Sequence, residues 1–172
     1  MNTELITLIH GTPGHWVTAI TGGGTTALSR LLGVPGASRT LLEATIPYAQ
    51  TALTAYLGKT PAQAASSQTA RALAMAAFQR ARQLTAPQGT TASGADQGRE
   101  TPLFGLGASA ALVTDRSRRG DDHCFVAIQS RQASWEFSLT FGKTGRQRSE
   151  QEQICGELIL QAMQMAQTGH HI

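Results

Sequence analysis

The feature that most constrains the fold is a run of three glycines, Gly22 to Gly24, placed between two apolar segments. The segment from Trp16 to Ile20 is typical of a buried strand, and Thr25 to Leu32 has helical spacing of its apolar residues. A Pro-Gly turn and a second apolar segment, from Arg39 to Pro47, follow. This order predicts strand, tight loop, helix, turn and strand, the beginning of an α/β fold.

Glycines at a strand-to-helix junction permit positive φ angles and let a ligand approach the main chain, and the free amides of the helix start attract anions. The spacing is neither that of the GxGxxG fingerprint nor that of a Walker loop, which also requires a lysine. Three glycines can equally form a sharp turn and nothing more. A small-molecule site and a purely structural turn are therefore both open interpretations of this segment.

Residues 15–58 resemble the CinA C-terminal domain family, whose enzymatic members are nicotinamide-nucleotide amidohydrolases. The resemblance rests on the glycine loop, the VPGAS turn at 34–38, the apolar strand that ends in Tyr48, and the Leu-Gly pair at 57–58. It implies a pocket of pyridine-nucleotide size, association into a homo-oligomer and no cofactor or metal. The TGGG form of the loop indicates a divergent branch.

The active members carry a serine at the position of Thr21 and a tyrosine at the position of Tyr48. They also carry a lysine that helps to activate the serine, and its position in this chain holds Leu53. A hydroxyl needs a neighbouring base to become a nucleophile at neutral pH. Leucine cannot accept a proton. The resemblance thus implies a pocket whose amidohydrolase chemistry has been lost or rebuilt, with Leu53 in the core.

Further family segments correspond more loosely to two regions. A glycine-rich turn with Gly105 and Gly107 precedes a basic loop, and a basic residue near the last helix falls among Gly145, Arg146 and Arg148. The ligand-binding residues implied are Thr21, Gly22, Gly23, Gly24, Thr25, Gly105, Gly107, Arg116 and Arg146. Arginine forks match phosphate and carboxylate groups. The cluster of Arg116, Arg118 and Arg119 can instead be the solvated tip of a hairpin.

The remaining elements follow from hydrophobic periodicity and turn residues. Helices are predicted at 2–9, 48–57, 67–84 (capped by Ser66 or Ser67) and 146–167, and strands at 103–113, 123–129 and 134–141. Because several strands are consecutive late in the chain, a mixed sheet is favoured over a purely parallel one. We expect a three-layer α/β/α sandwich with a mixed, mostly parallel sheet, as the resemblance also implies.

Composition bounds the remaining possibilities. The 172 residues predict one domain, and the net charge of +3 comes without a run of basic residues that would track nucleic acid. No apolar stretch reaches the roughly 18 residues of a membrane span, so we expect a cytoplasmic protein.

Cys124 and Cys155 have no metal-ligand spacing and are expected to be buried thiols. Residues 85–101 are almost devoid of apolar side chains and predict a mobile surface loop, or alternatively a lid.

Three functions remain open. The first is a CinA-like domain that binds a small phosphorylated metabolite such as a pyridine nucleotide without hydrolysing it. The second is an active amidohydrolase of nicotinamide mononucleotide that uses Thr21 or Thr25 as nucleophile and Tyr48 as proton carrier. The third is a structural or partner-binding subunit whose pocket is closed by side chains. An active enzyme requires a base within hydrogen-bond reach of a threonine hydroxyl.

Overall fold

The computed structural model describes residues 3–87, 100–142 and 145–169, which form five helices and five strands. The helices are α1 (Thr3–Gly11), α2 (Thr26–Leu32), α3 (Gln50–Leu57), α4 (Ser67–Thr85) and α5 (Arg148–Thr168). The strands are β1 (His15–Thr21), β2 (Leu41–Thr45), β3 (Leu103–Ala111), β4 (Asp122–Gln129) and β5 (Ser134–Phe141).

The five strands form one mixed sheet in the order β2-β1-β3-β4-β5. The strands β2, β1 and β3 pair in parallel, with Thr21 opposite Ser109 at the carboxyl end, and the β3–β4 and β4–β5 pairs are antiparallel. Four strands thus run in one direction and only β4 runs against them. The predicted mixed, mostly parallel sheet is confirmed.

Helices cover both faces of the sheet. On one face, Val17 and Ala19 of β1 pack with α3 and α4, and on the other, Trp16 and Ile20 belong to the main core with α1, α2 and α5. Trp16 is fully buried and stacks on Phe104 of β3 at 4.5 Å between ring centroids. The predicted three-layer sandwich is therefore confirmed.

The element boundaries differ from the prediction at a few places. The strand predicted from Arg39 to Pro47 is shorter, because Gly36 has φ +117° and Ala37–Arg39 forms one turn of 3-10 helix before β2 begins. The strand predicted over 103–113 ends at Ala111. Of the segment predicted to be a mobile loop, residues 88–99 lie outside the described residues.

The helix predictions agree with the structure. Ser66 caps α4, as expected, by accepting a hydrogen bond from the amide of Thr69. Within the described part of the chain, no helix combines the length and the apolar character needed to cross a bilayer. Cys124 and Cys155 are both buried and free, which confirms the expectation of buried thiols.

Candidate functional site

The carboxyl ends of β1, β2 and β3 meet at one edge of the sheet, which we call the carboxyl edge. The chain first adds β2 on one side of β1 and then returns to add β3 on the other side of β1. The strand order therefore changes direction between β1 and β3. Ligands of open α/β sheets bind at such switch points. The glycine loop after β1 therefore lies where the fold favours a site.

The glycines of this loop are required by close packing. Gly22 has φ +79°, and a Cβ at this position would lie 1.9 Å from the carbonyl oxygen of Ala110 in β3. Gly24 has φ +97°, and its Cβ would lie 2.5 Å from the Cδ1 of Ile159 in α5. The predicted sharp turn is confirmed, and these two contacts explain it without a ligand.

The amides at the end of the glycine loop are occupied by a side chain of α5. The Glu152 carboxylate accepts hydrogen bonds from the amide of Gly24 at 2.8 Å, the hydroxyl of Thr25 at 2.7 Å and the amide of Thr26 at 3.3 Å. The hydroxyl of Thr26 in turn donates to the main-chain oxygen of Glu152. The attraction of this loop for anions is thus met within the molecule.

The hydrogen bonds also fix the charge of Glu152. Burial alone would raise the pKa of this carboxyl group, but the donors on Thr25, Gly24 and Thr26 outweigh it, so the pKa lies below the ordinary value. The carboxylate is consequently ionised at neutral pH and is a weak proton acceptor. Its place is that of an internal anion at the start of α2.

A second side chain of α5 joins the loops that follow all three parallel strands. The Arg148 guanidinium donates to the carbonyl of Gly22 after β1 at 3.0 Å, to the carbonyl of Val113 after β3 at 2.9 Å, and to the hydroxyl of Tyr48 after β2 at 3.3 Å. Arg148 is half-buried and forms no ion pair with any carboxylate of the described residues. Its guanidinium is therefore not directly paired with a carboxylate, and the ionised Glu152 lies one turn further along α5.

Thr21 and Leu53 lie on the α3 and α4 side of the sheet. Thr21 is 5% exposed, and no carboxylate, imidazole or amine of the described residues hydrogen-bonds to it. Leu53 is 1% exposed and packs with Ala19 and Leu73, which confirms that it belongs to the core. The one threonine hydroxyl near the loop that donates to a carboxylate is that of Thr25, through its bond to Glu152.

The other implied ligand residues do not converge on the loop. Gly105 and Gly107 do not form a turn, because they lie inside β3, where a Cβ would come within 2.2 Å of the carbonyl oxygens of Ala74 and Ala70 in α4. Arg116 is exposed in the loop after β3, and Arg146 is exposed just before α5. The structure brings Arg148, rather than Arg146, to the carboxyl edge.

Gln151 completes the group of α5 side chains at this edge. It is 2% exposed, accepts from the amide of Val113 at 2.8 Å and donates to Asp122 at 2.9 Å. Sequence analysis missed the contacts of Gln151 and Glu152, since their partners lie far away along the chain. The available signal was the i, i+3, i+4, i+7 spacing of Arg148, Gln151, Glu152 and Cys155, which places them on one face of a helix.

No family model matches the chain, and no curated protein matches it. Solved structures do match over nearly the whole length, and what they share with this chain is the fold.

Three neighbours illustrate the likeness. The competence/damage inducible protein CihA from Agrobacterium tumefaciens has a TM-score of 0.64 at 16% identity, covering 95% of this chain and 92% of its own. A competence or damage-inducible protein from Enterobacter asburiae has a TM-score of 0.61 at 13% identity. The match covers 97% of this chain and 94% of that protein. A competence-damaged protein (CinA) superfamily protein from Escherichia coli has a TM-score of 0.57 at 14% identity. The match covers 98% of this chain and 87% of that protein. At these identities the likeness establishes a CinA-type α/β fold.

Proposed function

We propose that this chain is a CinA-like domain that binds a small phosphorylated metabolite of the pyridine-nucleotide class at the carboxyl edge and does not hydrolyse it. The observation that carries the proposal is the half-buried guanidinium of Arg148, which joins three loops and has no direct carboxylate partner among the described residues. Carbonyl and phenol oxygens satisfy some of its N–H groups but do not neutralise its charge. A phosphate group would do both.

The neighbour of Arg148 supports the same class of ligand. Tyr48 is 63% exposed, although its hydroxyl is held by Arg148. An exposed aromatic ring fixed at one end offers a flat apolar face, and planar heterocycles stack on such faces. A phosphate at Arg148 with a ring on Tyr48 matches a mononucleotide.

The side chains around Thr21 support the proposal that the ligand is not hydrolysed. The position where the resemblance expects a lysine holds the buried Leu53, and no base of the described residues hydrogen-bonds to Thr21. A threonine hydroxyl without a base is a poor nucleophile. Binding without hydrolysis is therefore favoured.

One observation favours an active amidohydrolase as a second candidate. The Thr25 hydroxyl donates to Glu152 at 2.7 Å, which is the arrangement of a nucleophile and its base. However, the pKa of Glu152 is lowered by three donors, and a carboxylate held in this way takes up a proton poorly. The same contacts, which fill the loop amides, also fit the third candidate, a structural subunit with a closed pocket.

The deciding experiment titrates the purified protein with nicotinamide mononucleotide and follows the thermal midpoint and ammonia release in parallel. The proposal expects a saturable rise of the midpoint and no ammonia, since a ligand that prefers the folded state stabilises it. In Arg148→Ala the ligand-induced rise should disappear, and in Arg148→Lys it should be reduced. Arg131→Ala, which removes an exposed arginine of the β4–β5 turn, serves as the matched control.

Two other results would decide against the proposal. Ammonia release that disappears in Thr25→Ala would establish the second candidate with Glu152 as base. If neither ammonia nor a midpoint shift appears, the ligand class is wrong and the structural candidate is favoured. Because Arg148→Ala also removes three internal hydrogen bonds, the comparison uses the ligand-induced change and not the absolute midpoint.

A further inference from the structure

A second concave region lies at the opposite edge of the sheet from Arg148. It is a cleft of about 510 Å³, lined by the turn from His10 to His15 together with Ser38, Arg39 and Thr101. These residues precede or begin β1, β2 and β3, so the cleft lies at the amino ends of the three parallel strands. Its volume falls within the range of about 300–1,000 Å³ that small-molecule sites occupy. We call it the amino-edge cleft.

Arg39 is held in position at this cleft. Its Nε donates to the carbonyl of His10 at 3.5 Å, and its guanidinium lies over Gly36, where a Cβ would come within 2.6 Å of Nη2. Gly36 has φ +117°, which glycine adopts readily. The terminal nitrogens of Arg39 make no hydrogen bond or ion pair with any residue that the structure describes. A positioned guanidinium fork is thus left with two free donor groups.

A buried histidine supports the main chain on both sides of Arg39 and the turn. His10 is 4% exposed, and its ring lies 3.0 Å from the carbonyl of Leu31 through Nε2 and 2.7 Å from the hydroxyl of Thr40 through Nδ1. Since a carbonyl only accepts, Nε2 donates to Leu31, and Nδ1 forms the second hydrogen bond with the hydroxyl of Thr40. The ring therefore ties α1 to the residue next to Arg39 and fixes the geometry of the cleft.

Several side chains at the cleft can donate hydrogen bonds. No residue that lines it is acidic, whereas Arg39, the His15 imidazole, and the hydroxyls of Ser38 and Thr101 can each donate. A group of donors suits an oxyanion, and the guanidinium fork matches two of its oxygens. Such a set has no evident role in packing, because Arg39 and Ser38 are exposed.

We propose that the amino-edge cleft is a second binding site, distinct from the carboxyl edge, and that it takes the oxyanion group of a small phosphorylated or carboxylated metabolite. Arg39 supplies the charge and the fork. Ser38, Thr101 and His15 complete the donor set, and His10 positions Arg39 without contacting the ligand.

The test follows the amide and Arg Nε–H signals of ¹⁵N-labelled full-length protein during titration with pyrophosphate and, separately, with succinate. Sodium chloride at matched ionic strength is the reference. We expect saturable shifts at Gly14, Ser38 and Arg39 with at least one of the two probes. Which probe binds more tightly distinguishes a phosphate from a carboxylate ligand.

Variants assign the site. Arg39→Ala should raise the dissociation constant by about tenfold or more, and Arg39→Lys, which keeps the charge but loses the fork, should lie between it and the wild type. Arg131→Ala should bind as the wild type does. Arg148→Ala should leave the shifts at Gly14 and Ser38 intact, so that the two edges are tested independently.

The inference is overturned if neither probe gives saturable shifts at the cleft, if Arg39→Ala binds with unchanged affinity, or if chloride alone reproduces the shifts. It is also overturned if Arg148→Ala abolishes them, because the anion would then bind at the carboxyl edge alone.

Discussion

The glycine loop is fixed by the charge of Glu152. Its carboxylate accepts three hydrogen bonds from Gly24, Thr25 and Thr26, two of them main-chain amides that cannot rotate away. In Glu152→Gln one carboxylate oxygen becomes an NH₂ donor, and at least one of these donors is left facing another donor. Hydrogen bonds to charged groups contribute more than neutral ones, so we expect the free energy of unfolding at pH 7 to fall by about 1–3 kcal/mol.

Chemical denaturation of Glu152→Gln beside the wild type measures this loss. Glu136→Gln is the control, because Glu136 forms an exposed pair with Arg71, and exposed ion pairs contribute little. Equal losses of unfolding free energy in both variants would show that the hydrogen bonds of Glu152 to the loop stabilise the protein no more than the ion pair of the control does.

The same residue predicts a dependence of stability on pH. Because the pKa of Glu152 is lower in the folded protein than in the unfolded chain, the unfolded chain takes up this proton first as the pH falls. The contribution of Glu152 is complete above the unfolded value of about 4.3–4.5 and is lost as the pH falls through the folded pKa. The difference in unfolding free energy between wild type and Glu152→Gln should therefore shrink on acidification below pH 4. A difference that is constant from pH 7 to pH 3 would contradict the lowered pKa.

Leu53 allows the loss of chemistry to be tested in the reverse direction. Leu53→Lys restores the residue type that the resemblance expects, but it places an ammonium group in a position that is 1% exposed, beside Ala19 and Leu73. We expect the free energy of unfolding to fall by roughly 2–4 kcal/mol and no ammonia release from nicotinamide mononucleotide. Leu53→Met, which conserves volume, should cost less than about 1.5 kcal/mol. Ammonia release by Leu53→Lys would show that the remaining site is competent.

The site was only partly predictable from the sequence, for reasons visible at single residues. The loop glycines and the core position of Leu53 follow from local pattern and resemblance. Arg148 and Glu152 act on residues about 126 positions earlier in the chain, and no local pattern encodes such a distance. Arg146 lies just before α5 and Arg148 is the first residue of that helix, and only the docking of α5 decides which one reaches Gly22.

At the scale of elements, the seating of α4 on β3 depends on two residues without side chains. Any Cβ on Gly107 would lie 2.2 Å from the carbonyl oxygen of Ala70 and 2.4 Å from the amide nitrogen of Ala74, so α4 would have to move away from the sheet. We expect Gly107→Ala to lower the free energy of unfolding by about 1–3 kcal/mol through overpacking. Gly11→Ala is the control, since nothing lies within 4 Å of its Cβ position. A neutral Gly107→Ala, measured by the same denaturation curves, would contradict this tight seating.

The elements themselves were predictable because each carries a clear period. The alternation of Trp135, Phe137 and Leu139 identified β5, and Ser66 identified the start of α4. The resemblance to a glycine-rich family segment assigned Gly105 and Gly107 to a turn, although both also lie within the strand predicted over 103–113. Their actual role, close approach of a helix to a strand, depends on which helix crosses β3, and that is a property of the assembled sheet.

At the scale of the whole molecule, the core is continuous from β1 to β5. Trp16 of β1 stacks on Phe104 of β3, and Phe104 contacts Trp135 of β5 at 6.4 Å between ring centroids. The central strand β3 pairs with β1 on one side and β4 on the other, and α5 packs against α2 as well as β4 and β5. We therefore expect that neither half of the described residues unfolds while the other stays intact.

This continuity predicts one cooperative unfolding transition for the chain. Unfolding β5 exposes Phe104, and losing Phe104 removes the partner of Trp16, so partial unfolding carries most of the cost of complete unfolding. Tryptophan fluorescence and far-ultraviolet circular dichroism should therefore give the same denaturation midpoint, and the calorimetric and van't Hoff enthalpies should agree. Trp135→Phe leaves Trp16 as the only indole, and its fluorescence should still change together with the circular dichroism of that variant. An earlier transition in either signal would show that the antiparallel half, β4 and β5, is a separate folding unit.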